Sequence, residues 1–242
     1  MRCAKVVSTW EDTAPEAAIR QRPTLVLLLC FVALLQFGYP ITLHGTWWAA
    51  LYMLLYAGMI VFGLLVVRGE RDHVLPGLVV GAAFVFFGLW VARDPGHTTA
   101  LTGMFVTVAL FQAGIMYSLL KFVYRRSESP GPELILAAIS VYLLFGGMLA
   151  AVCSVTELHL PGSFTDGSHP GEPMVWQQFM YYSYITMSTL GYGDILPVSP
   201  WARSLAAVGT VAATLFLTTV IARLVGVYVG TRDTGQSGDR PQ

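Results

Sequence analysis

The sequence predicts an all-α membrane protein with six transmembrane helices and one re-entrant helix that is followed by a polar loop. Of its 242 residues, 55% are hydrophobic and 12% are charged, about half the charged share of a typical soluble protein. Apolar runs follow one another over residues 25–229. A polar, glycine-rich stretch at 186–194 interrupts them. Irregular backbone at membrane depth persists only where it is buried in protein or lines a watery cavity.

Six apolar segments are each predicted to be long enough to cross the hydrocarbon core of a bilayer, which needs roughly 20 residues. The first ends near Pro40 and reaches residue 43 at most, and the fifth starts after a Pro- and Gly-rich break at 129–132. The predicted spans are 24–39, 47–67, 74–91, 98–124, 133–158 and 199 or 200–229.

The two ends of the chain are predicted to be short tails, at 1–22 and 231–242. Thr13 and Glu16 fit a capping box, so the first tail either starts a short surface helix there, with Trp10 as an interfacial anchor, or has no structure. The acidic residues in this tail argue against a signal peptide. By composition, the residues after Gly230 are expected to be disordered.

The segment between the fifth and the last span differs from its neighbours. A polar loop at 161–172 leads to Pro173, which suits the first turn of a helix, and Glu172 suits the positive end of that helix. The helix predicted at 174–188 has about four turns and is too short to span a membrane. We therefore expect it to enter the membrane, stop, and let the polar stretch return the chain to the same side.

The distribution of basic residues predicts the orientation. An even number of spans places both termini on the same side of the membrane. Twelve Lys and Arg residues lie on that side and two on the other, and the side with more basic residues is usually the cytoplasmic one. The twelve are Arg2, Lys5, Arg20, Arg22, Arg68, Arg71, Lys121, Arg125, Arg126, Arg223, Arg232 and Arg240; the two are Arg93 and Arg203. Both termini are therefore predicted to be cytoplasmic, and the protein is predicted to lie in the plasma (inner) membrane.

The re-entrant segment then enters from outside, where its surroundings are acidic. No Lys or Arg lies between Arg126 and Arg203. An outer opening surrounded by acidic residues and free of basic ones attracts cations. Its acidic residues are Glu157, Asp166, Glu172 and Asp194.

The run at 189–193 has the composition of a filter that binds ions through backbone oxygens. Carbonyl groups and the Thr189 hydroxyl can replace the water around a potassium ion. Gly191 and Gly193 permit dihedral angles that let successive carbonyls point the same way. One strand cannot enclose an ion, so four chains around an axis, a homotetramer, are expected. The predicted filter is Thr189, Leu190, Gly191, Tyr192 and Gly193, with K⁺ held at the first four; no other metal or cofactor is expected.

The run TMSTLGYGDILP at 186–197 resembles the signature of tetrameric potassium channels, in order and spacing, over 133–230. The first four helices are similar only in architecture to the six-transmembrane, voltage-gated-like branch, whose bacterial members this short chain resembles. Leu190 replaces the usual valine but keeps the carbonyl. Ile185 replaces a glutamate that some relatives pair with the acid after the filter. We therefore expect Tyr182 to support Asp194, with Ser188 as a further support.

The same resemblance assigns roles on the last helix. It places Thr214, Leu217 and Ile221 at a water-filled cavity and Val225 at its inner mouth. The family's hinge glycine falls on Ala213, so the helix bends at Gly209 or Gly226, unless these glycines serve close packing. Thr210, Thr214 and Thr218 share a face and could instead bond to their own backbone.

The fourth predicted helix lacks the repeated basic residues of a voltage sensor. Residues 100–120 contain no Lys or Arg. Lys121, Arg125 and Arg126 follow at the cytoplasmic end, where they either snorkel or bind anionic lipid headgroups. The expected organisation is a voltage-sensor-like domain without gating charges at 23–127 and a pore domain at 128–230. Conduction is expected to be voltage-insensitive. Four other ways of controlling channel opening remain open: lipid, external pH through His159 or His169, a separate partner, or the filter itself.

Two other classes share part of the pattern. Gly191-Tyr192-Gly193-Asp194 matches the GxGD motif of intramembrane aspartyl proteases, which need a second membrane-depth aspartate. Asp72 and Asp94 lie at helix ends instead. A potassium uptake transporter subunit carries four unlike loops in one chain, and a non-conducting modulatory subunit is a third alternative. We expect a channel that is not an enzyme and binds no nucleic acid.

Overall fold

The computed structural model describes residues 13–44, 52, 55–56, 58–59, 74–125 and 132–236. Within these ranges the chain is mostly helical, with two short strands. The helices are α1 (Thr13–Phe37), α2 (Val74–Arg93), α3 (Thr98–Arg125), α4 (Pro132–His159), α5 (Trp176–Met187) and α6 (Pro200–Gln236). A 3₁₀ helix (Tyr39–His44) follows α1, and the strands are β1 (Phe164–Asp166) and β2 (Ile195–Pro197).

Three described helices are long and apolar enough to cross a membrane: Thr98–Lys121, Glu133–His159 and Pro200–Gly226. Two shorter apolar segments, Pro23–Phe37 and Gly77–Arg93, lie in α1 and α2. Most of the helix predicted at 47–67 falls outside the described residues, although its five described positions are helical. A total of six spans therefore remains a prediction.

The ends of three helices differ from the sequence-based expectation. Helix α1 begins at Thr13, in agreement with the helical alternative for this tail, but it continues through Pro23 instead of ending before the first predicted span. Helix α6 extends to Gln236, so the prediction of disorder immediately after Gly230 was wrong. Helix α5 begins only at Trp176, because the Val175 N–H donates to Gln178 Oε1 at 2.7 Å and caps the helix there. Pro173 and Glu172 lie before it.

The all-α expectation also needs a correction, because β1 and β2 form an antiparallel ribbon. Phe164 faces Pro197 and Asp166 faces Ile195 in its register. The N–H groups of Val198 and Ser199 both donate to the Ser163 carbonyl, at 2.7 and 3.2 Å. The ribbon therefore joins the chain that leaves α4 to the chain that enters α6.

Helix α4 lies at the centre of the described structure and packs against α1, α3, α5 and α6. One apolar core lies among α1, α3 and α4, and a second surrounds α5. Helix α6 is covered least, and large apolar side chains on several of its faces are exposed. They include Val208, Val211, Leu215, Leu217, Ile221 and Val225.

Candidate functional site

Helix α5 is fixed against α4 by one tyrosine. The Tyr184 hydroxyl donates to the Leu143 carbonyl at 2.7 Å. Its ring lies where a Cβ at Gly146 would be, so only glycine at 146 admits the ring in this position. This contact sets how close α5 sits to the central helix.

A second set of contacts joins α5 to α6. Thr210 Oγ1 donates to the Thr186 carbonyl at 3.3 Å, beside the end of α5. Gly209 is buried, and a Cβ there would stand 2.7 Å from Leu149 Cδ2 on α4. Gly209 therefore allows close packing of α6 against α4, as the alternative to a hinge expected, whereas a Cβ at Gly226 would meet open space. Neither observation tests bending of α6.

The predicted filter follows α5 directly as irregular, exposed backbone. The N–H of Ser188 donates to the Tyr184 carbonyl at 2.9 Å. The N–H groups of Leu190 and Gly191 share the Ile185 carbonyl, at 3.0 and 3.1 Å. Leu190 is 56% exposed and Tyr192 is 67% exposed. No described contact within the chain covers these side chains, so their surface is free for other molecules.

Backbone dihedral angles in this stretch alternate in sign. The φ angles of Thr189, Gly191 and Gly193 are +60°, +56° and +80°, and the residues between them have negative φ. A positive φ is rare for a β-branched residue such as Thr189 and costs energy that its surroundings must supply. Two of the three positions carry glycine, which tolerates this conformation freely.

Asp194 closes the stretch through a hydrogen bond that corrects the prediction. Tyr181, not Tyr182, donates its hydroxyl to Asp194 Oδ2, at 2.7 Å. Tyr182 is buried, with its ring against Phe164. The two tyrosines point to different sides of α5, and Tyr182 faces the core. Asp194 Oδ1 also accepts from the Ile195 N–H at 3.0 Å.

Asp166 forms a second support, at the start of α5. Its Oδ2 accepts from Gln178 Nε2 at 2.6 Å and lies 3.2 Å from His169 Nδ1, while Oδ1 accepts from the Ser168 N–H at 2.7 Å. Burial raises the pKa of this carboxyl, but the hydrogen bonds outweigh burial and hold its pKa below the ordinary value.

The two carboxylates are linked through the backbone. The Gly167 N–H donates to the Asp194 carbonyl at 2.7 Å, next to the ribbon pair of Asp166 and Ile195. Glu157 has a similar role, because its carboxylate accepts from the N–H groups of Gly162 and Phe164, at 2.7 and 3.0 Å. Three of the four acids predicted at the outer mouth therefore hold the loops around α5 in place.

A cavity of about 480 Å³ opens beside these loops. Carboxylates of Asp166, Glu172 and Asp194 line it, and its lining residues include no Lys or Arg. Its electrostatic potential is therefore favourable for cations.

On α6, the predicted cavity and gate residues are all exposed and recur at intervals of three or four positions. These residues are Thr214, Leu217, Ile221 and Val225. Thr214 and Thr218 donate their hydroxyls to carbonyls one turn earlier, at 2.9 and 2.8 Å, as the alternative from sequence proposed. Exposure leaves their predicted role untested.

Arg223 of α6 contacts α3. Arg223 Nη2 donates to the Tyr124 carbonyl at 3.0 Å, and the guanidinium lies 5.0 Å from the centre of the Tyr124 ring. Lys121 lies one turn earlier on α3, whereas the side chain of Arg125 and all of Arg126 fall outside what the structure describes. The proposed lipid contacts of these residues are untested.

Sequence reasoning missed Tyr181, the pair of Asp166 and Gln178, and the role of Gly146. One signal was available: Gln178 and Tyr181 are three residues apart and therefore share a face of a helix. Phe179 and Tyr182, which are buried, lie on the adjacent face, about 100° around the helix. The acceptors on the loops come from distant sequence and gave no local signal.

Comparison with known proteins assigns a class to this part of the chain. A family model described as "Ion channel" matches residues 135–229, which span α4, the ribbon, α5, the predicted filter and most of α6. No curated protein and no solved structure matches the chain. The match and the apolar helices together support a membrane protein with an ion channel domain that conducts ions passively.

Proposed function

We propose that this chain is the subunit of a potassium-selective channel in which four copies bring their 189–193 stretches around one axis. K⁺ passes along backbone carbonyls of Thr189, Leu190, Gly191 and Tyr192 and the hydroxyl of Thr189. The observation that carries the proposal is the alternation of φ along an exposed, glycine-containing stretch directly after a helix that does not span. Alternating dihedral angles are what a row of like-directed carbonyls requires.

The surroundings of the stretch support the same proposal. Tyr181 holds Asp194 at its outer end, and Ile185 accepts two N–H groups at its inner end. The stretch is thus fixed at both ends while its side chains remain exposed. Rigid positioning of oxygens at each end is useful to a filter that must replace a hydration shell.

Exposure on α6 supports assembly from several chains. Its apolar side chains are exposed on several sides, including the side that bears Thr214, Leu217 and Ile221. A helix in a membrane packs through shape and small residues, so exposure alone does not drive assembly. The tetramer follows from the need for more carbonyls than one stretch contains.

The proposed channel is not strongly voltage-gated. Helix α3 has no Lys or Arg before Lys121, so no side chain on it carries a positive charge across the field. Moving one charge through 100 mV provides about 2.3 kcal/mol, and steep gating needs several. Both termini are proposed to lie in the cytoplasm, with anionic lipids at Lys121, Arg125 and Arg126.

The hydrogen bond from Tyr181 to Asp194 argues against the alternative of an intramembrane aspartyl protease. An aspartyl protease needs a second carboxylate close enough to share a proton. Asp194 instead accepts from Tyr181 and from the Ile195 backbone. This observation favours a structural carboxylate and gives the protease no support.

The test is flux through the purified protein in liposomes. We expect an outward K⁺ gradient to drive flux that Ba²⁺ blocks, while an equal Na⁺ gradient drives almost none. Equal K⁺ and Na⁺ flux would reject potassium selectivity but keep an ion channel. No flux of either ion from a folded tetramer would favour a modulatory subunit.

A further inference from the structure

A groove of about 390 Å³ opens beside the end of α2, and we call it the α2 groove. Its lining residues recur at the i, i+3, i+4 and i+7 spacing of one helix face. They are Phe86, Leu89, Trp90 and Arg93. Phe84 lies about half a turn round the helix from them and is buried in the core. Helix α2 therefore has two apolar faces, and the described residues leave the one with the groove largely uncovered.

The α2 groove lies on an apolar segment of the protein. This segment, Gly77–Arg93, packs on α3, which is long and apolar enough to cross a membrane. Phe86 is 60% exposed and Leu89 is 65% exposed. A contiguous exposed apolar surface with a polar rim marks contact with lipid or with another protein. The charge at the rim distinguishes these two kinds of partner.

Arg93 is the charged group of the α2 groove. It is the last residue of α2, it is exposed, and no described residue accepts a hydrogen bond from its guanidinium. Asp94 follows it in the sequence but does not line the groove. If another protein covered Arg93, it would have to supply a facing acid, because a buried unpaired charge is costly. At a membrane surface the guanidinium stays hydrated and meets phosphate groups, to which it donates two parallel hydrogen bonds.

Trp90 forms a fixed wall of the α2 groove. Its ring centre lies 4.9 Å from that of His97, 6.0 Å from that of Phe86 and 6.4 Å from that of Phe87, on which it stacks. Phe87 is itself held, because its ring occupies the space where a Cβ at Gly103 of α3 would be. Trp90 is nevertheless 36% exposed. A wall that is ordered before binding loses little conformational entropy when a ligand arrives.

We propose that the α2 groove binds one membrane phospholipid, with the lipid phosphate on Arg93 and an acyl chain against Phe86, Leu89 and Trp90. Arginine and tryptophan at the end of an apolar helix suit the level where headgroups meet hydrocarbon. The lining residues extend over two turns, about 10 Å of helix, which is enough for the first part of an acyl chain. Binding requires only a membrane protein and does not rest on ion conduction.

Binding is measured on the full chain in a maltoside detergent, which contains no phosphate. The probe is a phosphatidylcholine with bromine near the headgroup end of one acyl chain, since bromine quenches tryptophan fluorescence on contact. The reporter is the part of the signal that is lost in Trp90→Phe. We expect saturable quenching of that part as the mole fraction of the probe in the micelles rises.

A diacylglycerol with the same brominated chain is the matched ligand, because it lacks only the phosphate and its headgroup. We expect it to bind about tenfold more weakly than the phosphatidylcholine. A factor of ten corresponds to about 1.4 kcal/mol for the contact between the phosphate and Arg93.

Two variants locate the lipid. Arg93→Gln is expected to weaken the phosphatidylcholine about tenfold and to leave the diacylglycerol unchanged, whereas Leu89→Ala is expected to weaken both. Arg203→Gln is the control for charge, because Arg203 is also exposed but its Nε donates to the Pro197 carbonyl at 3.3 Å. Val85→Ala is the control for apolar surface, since Val85 is 52% exposed on α2 and does not line the groove. Both controls should bind as wild type.

The proposal is overturned if Arg93→Gln and Arg203→Gln bind the phosphatidylcholine equally. It is also overturned if quenching rises in proportion to the probe without saturating, as it does for lipid that merely surrounds a protein. Absence of quenching by either lipid, together with dissociation of the oligomer in Leu89→Ala, would assign the groove to a second copy of the chain and reject the lipid. All four substitutions change exposed side chains, and Tm in detergent verifies that each variant is folded.

Discussion

The Tyr181 hydroxyl donates a 2.7 Å hydrogen bond to Asp194 Oδ2 and so ties the end of the predicted filter to the helix that precedes it. Tyr181→Phe removes only this hydroxyl. A hydrogen bond to a charged group contributes about 1.5–3 kcal/mol, so the outer end of the filter should hold its conformation less well. We expect K⁺ flux that declines faster after it starts, measured as a time course in liposomes.

Tyr182→Phe is the matched control, since it deletes the hydroxyl of the neighbouring tyrosine, which is buried beside Phe164. Its flux should decay at the wild-type rate, or nearly so. Faster decay in Tyr182→Phe together with unchanged decay in Tyr181→Phe would contradict the assignment of the Asp194 partner.

Gly191 has a φ of +56° in the middle of the predicted filter. Alanine in that conformation costs about 1–2 kcal/mol, which the stretch can relieve by changing its dihedral angles. We expect Gly191→Ala to reduce K⁺ flux about tenfold or more, because about 1.4 kcal/mol corresponds to a factor of ten.

Gly171→Ala is the matched control for strain. Gly171 has a φ of +84° in the loop before α5 and, like Gly191, has open space where a Cβ would be. Both variants should lose similar folding stability, and only Gly191→Ala should lose flux. Equal loss of flux in both would mean that general destabilisation, and not the filter, limits conduction.

Asp166 is expected to make the folding stability of the protein depend on pH in the acidic range. Its pKa in the folded protein is lowered below the ordinary value of 3.8 by hydrogen bonds that outweigh burial. The contribution of the carboxylate is therefore complete above about pH 3.8 and is lost as pH falls through the lower folded pKa. The difference in Tm between wild type and Asp166→Asn should shrink below pH 3.8, as measured in detergent from pH 7 to pH 3.

Glu172→Gln serves as the control, because Glu172 is exposed and lines the same 480 Å³ cavity as Asp166. Its Tm should match wild type across that range. A difference for Asp166→Asn that grows towards acid would mean that its folded pKa is raised, which would refute this account.

Gly146 admits the Tyr184 ring beside α4. Gly146→Ala should destabilise the protein by about 1–3 kcal/mol, since the ring is held by its bond to Leu143 and has to move to relieve the overlap. Gly114→Ala on α3 meets nothing within 4 Å and should stabilise its helix by about 0.5–1 kcal/mol. Unfolding in detergent measures both, and equal shifts would reject the packing role of Gly146.

Helix α3 predicts weak dependence of conductance on voltage. Recordings from a planar bilayer should show a conductance–voltage relation that corresponds to less than one charge moved through the field, since residues 98–120 carry none. A steep relation that corresponds to several charges would require a sensor elsewhere in the chain and would reject this prediction.

Much of the helical framework could be predicted because apolar runs end at strong breakers. Helices α3 and α4 end within one or two residues of their predicted limits, where Pro, Gly and charged residues interrupt the runs. The stretch at 189–193 also stands out in the sequence, because alternating glycines are rare within apolar sequence, and its role as a filter stays a prediction. These features depend on neighbouring residues, which a sequence displays directly.

The ribbon and the Asp194 partner depend on residues that are distant in the chain. Strands β1 and β2 have three residues each, too few for a pattern, and they pair across about 30 residues. Tyr181 and Tyr182 are adjacent and chemically identical, and the contact of Phe164 with Tyr182, which marks the buried one, comes from a distant strand. The helix through Pro23 was missed because proline usually begins or ends a helix.

Ser163 accepts hydrogen bonds from both Val198 and Ser199, so the 35 or so residues between them leave and return at one point. The end of α4 at His159 and the start of α6 at Pro200 are consequently joined through these two bonds. At its other end, α6 contacts α3 through Arg223 and Tyr124. A displacement of α6 as a whole would therefore have to break hydrogen bonds near both of its ends.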